Sequence, residues 1–176
     1  MSRNIEIKAC IESVDTLASR VAAVADRGPI AIEQDDTFFA CAQGRLKLRK
    51  LAADAGELIF YRRADQPGPK ESFYWRSETR EPDGLLELLN ASHEVLGRVR
   101  KRRILFMVGR TRVHLDRVDD LGDFLELEVV LAELETANAG REEAHALMAR
   151  LGVPPETLVA EAYVDLIARR DLRRDA

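Results

Sequence analysis

Cysteine is scarce in this chain, with Cys10 and Cys41 the only two among 176 residues. They show no metal-ligand spacing, and a disulfide framework at this length needs more of them, so a reducing cytoplasm is the expected setting. Long apolar runs are missing as well. None approaches the roughly 18 residues of a membrane span, and the first residues lack the basic-then-apolar pattern of a signal peptide. No membrane association is expected. Excess charge of one sign is also missing: 27 Lys+Arg stand against 31 Asp+Glu, a formal net charge of −4. That total lends nothing to non-specific attraction for nucleic acid or anionic lipid. Linker-like segments, internal repeats and low-complexity tracts are absent too.

What remains is a chain that is 46% hydrophobic and 33% charged. Those proportions and this length fit one globular domain over residues 1–176 with a real core. A strand is expected from Asn4 to Ile11. In "SVDTLASRVAAVADRG", Leu17, Val21 and Val24 recur at helical spacing, with Ser13 as N-cap and Gly28 just past the end. Between Glu33 and Trp75 short alternating runs are broken by "CAQGR", "AADAG" and "DQPGPK", which read as hairpins. "PDGLLELLNASHEVLG" returns to helical spacing, with Leu85, Leu88 and Leu89 on one side and its end at Gly97. Three more alternating runs follow, and then amphipathic helix from Arg141 to Leu151 and from Val159 to Ala168. Fraying is expected in the final "RRDLRRDA".

Side chains alternate across a strand, so each run can be sorted into two faces. In "GRLKLRK", Arg45, Lys47 and Arg49 share one face and Leu46 and Leu48 the other. Lys101 and Arg103 share a face, as do Arg110, Arg112, His114 and Asp116, backed by Val113 and Leu115. Glu126 and Glu128 alternate with Leu125, Leu127 and Val129. Asn4, Glu6 and Lys8 are backed by Ile5, Ile7 and Ala9. A single such strand is an ordinary solvated sheet face. Five of them pose a different problem, because successive like charges on one strand face repel.

An anion on that face resolves it. Arginine offers a planar donor fork and lysine a point charge, and several of each converging make a multivalent phosphate site. The carboxylates then have a part as well: a triphosphate, with about four negative charges, is normally handled with Mg²⁺ or Mn²⁺, hard cations that take carboxylate oxygens. If the charged residues line the inside of a barrel, the aliphatic alternates point outward and helices cover them. A nucleic-acid reader fits less well, since base stacking calls for aromatics where "GRLKLRK" has leucines.

With those residues in view, the chain resembles the CYTH family, also called triphosphate tunnel metalloenzymes, over nearly its whole length. Asn4, Glu6 and Lys8 occupy the positions of its E-x-E-x-K strand. "QDDTFF", "GRLKLRK", "ELIFYRRAD" and "RKRRILF" are similar to its following strands. "RVHLDRVDDLGDFLELEVV" and "AYVDLI" resemble its class IV adenylyl cyclase-like branch. The resemblance implies an α+β fold: an antiparallel eight-stranded closed β-barrel with helices packed outside. It implies a Mg²⁺- or Mn²⁺-dependent enzyme that hydrolyses a triphosphate or cyclises ATP to cyclic AMP. The substrate class is a small molecule such as ATP, thiamine triphosphate or tripolyphosphate. A non-catalytic module that binds triphosphate, polyphosphate or a nucleotide is the alternative, and a homodimer is left open.

Residue by residue, the expected catalytic set is Glu6, Lys8 and Glu126. Triphosphate binding is expected from Lys8, Arg45, Lys47, Arg49, Lys101, Arg103 and Arg112, with one of Arg62 and Arg63 turned inward. Metal ligands are expected from Glu6, Asp116, Glu126 and Glu128. Position 4 departs from the motif: Asn supplies an oxygen but removes a negative charge and cannot act as a base. His114 alternates with Arg112 and Asp116, although a lone strand histidine is more often a hydrogen-bonded structural residue. Phe73, Tyr74 and Trp75 read as packing.

Overall fold

The first strand, β1 (Ser2–Cys10), carries the plan of the molecule in its alternation. Ile5, Ile7 and Ala9 are fully buried against helices, while Asn4, Glu6 and Lys8 face the other way into a lumen. The computed structural model describes residues 2–174. Seven further strands repeat the plan: β2 (Arg27–Phe39), β3 (Arg45–Ala52), β4 (Ala55–Arg63), β5 (Lys70–Thr79), β6 (Val95–Val108), β7 (Thr111–Val118) and β8 (Gly122–Val130). Every neighbouring pair is antiparallel, and the sheet closes in the order β1-β5-β4-β3-β2-β6-β7-β8. Closure leaves both β1 ladders satisfied, with Lys8 opposite Glu126 on β8 and Glu6 opposite Lys70 on β5.

The hydrophobic core lies between the outer wall of this barrel and its helices. Helix α1 (Val14–Ala22) brings Val14, Leu17 and Val21 onto Val113, Leu115 and Leu125, and α3 (Ala137–Arg150) brings Ala144, Leu147 and Met148 onto Ile5 and Leu127. Burying each large aliphatic side chain contributes about 1.5–3 kcal/mol, which lets the inner wall carry charge. At Gly140 a Cβ would come within 2.7 Å of both Ile5 Cγ1 and Leu131 Cδ2, so glycine sets how closely α3 approaches β1. Helix α2 (Pro82–Ser92) covers Phe39 and Leu48 through Leu89, and α4 (Tyr163–Arg174) packs on Val99 and Phe124. No helix among the described residues is long and apolar enough to cross a membrane.

Several boundaries differ from the sequence reading. Helix α1 is capped by Ser13 as expected but ends at Ala22, because the chain must turn early into β2. Gly28 therefore lies in that strand at φ +111°, where a Cβ would meet Leu105 O at 2.7 Å. Helix α2 stops at Ser92, whose Oγ donates to Leu88 O at 2.8 Å, and Gly97 belongs to β6. Leu88 is 61% exposed and does not share the buried side of Leu89. Arg110 sits outside β7, in the turn after β6, paired with Glu135 and Glu143. Helix α4 runs through Arg174, so Arg169 to Arg174 of the segment expected to fray have helical backbone. Asp175 and Ala176, where the rest of that expected fraying falls, lie outside the described residues.

Candidate active site in the barrel lumen

Inward-facing side chains enclose a cavity of about 360 Å³. Strand β1 supplies Asn4, Glu6 and Lys8; β3 supplies Lys47 and Arg49; β4, Arg63; β5, Arg76; β6, Lys101 and Arg103; β7, Arg112 and His114; and β8, Glu126 and Glu128. Eight basic side chains from six strands thus meet one space, against five carboxylates once Asp36 and Glu57 are included. Of the two arginines left open by the sequence, Arg63 faces the cavity. Arg62 is exposed, its guanidinium 5.4 Å from the Trp75 ring centroid.

Arg45 and Asp116 stand apart from the cavity wall. Arg45 is held by Asp65 at 2.7 Å and by Asp165 of α4 at 2.7 Å. Asp116 is 0% exposed. Lys101 donates to it at 2.9 Å, Arg103 twice at 2.6 Å, and the Tyr163 hydroxyl at 3.0 Å. Its oxygens are thereby committed, and it serves as the buried counter-charge beneath the β6 cations.

The repulsion inferred for the basic faces is relieved inside the protein. Asp36 takes Lys47 at 2.6 Å and Arg49 at 2.8 Å. Arg63 reaches Glu6 at 2.5 Å, Lys8 reaches Glu126 at 3.3 Å and Arg112 reaches Glu128 at 2.9 Å, while Arg103 also grips Glu126. Burial alone would raise the Asp36 carboxyl, but Lys47 and Arg49 outweigh it and hold it well below the usual carboxylate range. Burial raises Glu126 too, and Lys101, Lys8 and Arg103 again overcome it. On the basic side, burial and the neighbouring Arg49 outweigh Asp36 and bring Lys47 down to about 8. Lys8 is lowered by burial against the pull of Glu126. His114, lowered well below its ordinary range by burial and by Arg103, is neutral at physiological pH.

A subset of the wall has the composition of a cation site. Ligand atoms of His114, Glu126 and Glu128 all lie within 4.8 Å of one another. Two carboxylates with a neutral imidazole suit a divalent cation, and the buried Nδ1 of His114 has no hydrogen-bond partner among the described residues. His114 is therefore not the hydrogen-bonded structural residue that a strand histidine suggests. Glu6 lies in the same lumen, opposite Glu128 in the β1–β8 register, and is engaged by Arg63 as Glu126 is by Arg103 and Glu128 by Arg112; it is not among the three whose ligand atoms cluster.

Several lumen residues escaped the sequence reading, among them Glu57, Arg76 and the three described next. Asp36 follows Gln34 by two on β2, so alternation in "QDDTFF" carried a signal that only pairing with β3 could interpret. Tyr74, read as packing, lines the cavity and meets Arg112 Nη2 at 3.2 Å. Tyr163, on the first turn of α4, lies under Lys8 and Lys101, whose ammonium groups stand 3.8 and 4.8 Å from its ring centroid. Cation–π contacts of this kind stabilise desolvated lysines. No local pattern announces the Tyr163 contact, because it depends on how α4 docks.

A family model described as the CYTH domain matches residues 2–163. No curated protein matches the chain. Among solved structures it is similar to the PH1012 protein of Pyrococcus horikoshii OT3, with 24% identity over 93% of this chain and 98% of that one and a TM-score of 0.81. It is also similar to a Vibrio parahaemolyticus protein provisionally named an adenylate cyclase, at 20% identity, 94% and 97% coverage and a TM-score of 0.74. A third likeness is to a Hippeastrum protein, provisionally named an adenylyl cyclase and described as having a dominant triphosphatase activity. Identity there is 15%, coverage 97% and 96%, and the TM-score 0.64. At these identities the likenesses show the fold alone.

Proposed function

The chain belongs to the CYTH domain family, and from that premise we propose that its lumen binds a small-molecule triphosphate and hydrolyses it with a divalent cation. The observation that carries this reading is the convergence of eight basic side chains on the cavity that also holds the His114, Glu126 and Glu128 cluster. Lys47, Arg49, Arg63, Lys101, Arg103 and Arg112 exchange part of their internal ion pairing for phosphate oxygens. Each charge-assisted bond gained is worth about 1.5–3 kcal/mol. Glu126 and Glu128 would hold the cation, Mg²⁺ or Mn²⁺ by the family's pattern, with Glu6 facing them across the β1–β8 ladder. When bound, such a cation neutralises phosphate charge and polarises a phosphoryl oxygen. Glu128 has 21% of its side chain accessible against 10% for Glu126, and that greater access supports assigning it the orientation of the attacking water.

Hydrolysis asks only for that water, whereas cyclisation of ATP also requires a ribose 3′-oxygen fixed at the α-phosphorus. A binding module without turnover is the second reading, favoured by Asn4, which faces the lumen as a neutral residue. The test is a screen of ATP, thiamine triphosphate and tripolyphosphate with Mg²⁺ or Mn²⁺, reading phosphate and cyclic nucleotide separately. Metal-dependent phosphate release supports hydrolysis, and cyclic nucleotide as the main product overturns it in favour of cyclisation. Binding of all three without product supports the module.

A further inference from the structure

We infer that His114 is a nitrogen ligand of the lumen cation, and that the site consequently prefers a later transition ion such as Co²⁺ to Mg²⁺. This deepens the proposed function and rests on its premise that Glu126 and Glu128 hold a metal. On β7, alternation turns His114 inward, and the ladder sets it opposite Glu126, with Glu128 two residues along the same face of β8. The three donors therefore come from two adjacent, fully paired strands, and their ligand atoms lie within 4.8 Å of one another.

The imidazole has no other task in view. His114 is 5% exposed, and its buried Nδ1 lacks a hydrogen-bond partner among the described residues. Glu128 Oε1 stands 3.7 Å away, beyond hydrogen-bond range. Buried ring nitrogens are ordinarily satisfied, so one that stands beside Glu128 without bonding it, in a ring that clusters with Glu126 too, marks a place for a shared partner. A neutral donor also suits this lumen: it adds a ligand without adding negative charge against an incoming triphosphate. Imidazole nitrogen favours the later divalent ions, whereas Mg²⁺ prefers oxygen and water.

The experiment uses the full chain without triphosphate. Electron spin-echo spectroscopy of the Mn²⁺-loaded wild type reads nitrogen coupling directly. The other two histidines, His93 and His145, lie on the end of α2 and on α3, outside the cavity wall. Nitrogen modulation is expected, and its absence at saturating Mn²⁺ overturns the inference. In parallel, visible absorption follows Co²⁺ binding and calorimetry follows Mg²⁺ in wild type, His114→Ala and His114→Gln, with apo melting curves recorded for each. Both variants are expected to lose about tenfold or more in Co²⁺ affinity while Mg²⁺ affinity changes by less than about threefold. Unchanged Co²⁺ binding, or equal losses for both ions, would instead identify a packing role. If wild type turns over triphosphate while His114 proves indifferent, only the ligand assignment falls. If His114 binds Co²⁺ but no triphosphate is processed, only the proposed function falls.

Discussion

Arg49 and Asp36 are register partners across the β2–β3 ladder, joined at two points, Nε to Oδ1 and Nη2 to Oδ2, both at 2.8 Å. Lys47 adds a third bond to the same carboxylate at 2.6 Å. In the free protein Asp36 thus occupies donors that a phosphate would otherwise take.

Asp36→Asn separates the two roles of that carboxylate. Breaking a buried pair leaves uncompensated charge, so the variant is expected to lose about 3–5 kcal/mol of apo stability in urea unfolding. Its tripolyphosphate affinity, measured by calorimetry, should rise by about tenfold, equivalent to 1.4 kcal/mol. Weaker anion binding would show that Asp36 positions the cations more than it competes for them.

Binding should depend on pH through Lys47, whose ammonium titrates at about 8 in the folded protein against an ordinary 10.5. Between those values the unfolded chain holds a proton that the folded chain has released, so stability rises with pH across this window. Anion binding has the opposite sign, because phosphate prefers the charged lysine. Tripolyphosphate affinity should fall above pH 8 by up to about tenfold per unit. Lys47→Arg should flatten that slope, and a slope unchanged by the substitution would place the titration elsewhere, Lys70 being the other lysine lowered to about 8.

Arg103 and Arg45, both basic strand residues, should behave unlike one another. Arg103 binds Asp116 and Glu126 together, so Arg103→Ala removes the two-point partner of one buried carboxylate and a partner of another and should cost about 3–5 kcal/mol of stability. It should also weaken tripolyphosphate binding by about ten- to a hundred-fold. Arg45 pairs with the partly exposed Asp65 and Asp165 away from the cavity wall. Arg45→Ala should cost about 0–1 kcal/mol, and its anion affinity should stay within about twofold of wild type. Equal effects of the two substitutions would contradict the assignment of the cavity wall.

The contrast shows how far local pattern reaches. Alternation sorted Lys47 from Leu48 and Glu126 from Leu127, and with it the outward core and the charged lumen. It could not show that Arg45 is drawn off by Asp165 of α4, or that Asp116 lies beneath Lys101 and Arg103, since both depend on contacts across the fold. For the same reason the basic strands read as repelling sets: Asp36, which compensates β3, is on another strand. The register between Arg62 and Arg63 was settled by the β4–β5 pairing, and Gly28 was misread because a glycine after a helix resembles a cap whether or not the helix reaches it.

Asn4 faces the lumen two residues before Glu6, buried, with no partner for its Oδ1 among the described residues. Asn4→Glu should add a carboxylate to the wall and lower the half-saturating Mn²⁺ concentration by about tenfold, because each added carboxylate ligand strengthens a hard-cation site. No gain at limiting Mn²⁺ would mean that Asn4 is not a degraded ligand.

The central claim is that one lumen holds the triphosphate with its cations and the metal with Glu126 and Glu128. The most direct measurement is tripolyphosphate turnover against Mn²⁺ concentration for wild type and Glu128→Gln, alongside metal-free tripolyphosphate binding by both. Glu128→Gln should require about tenfold or more Mn²⁺ for half-maximal rate. Its metal-free binding should equal or exceed that of wild type, because a repelling carboxylate has gone. Superimposable Mn²⁺ curves, or a wild-type protein that turns over none of the triphosphates, would contradict the account.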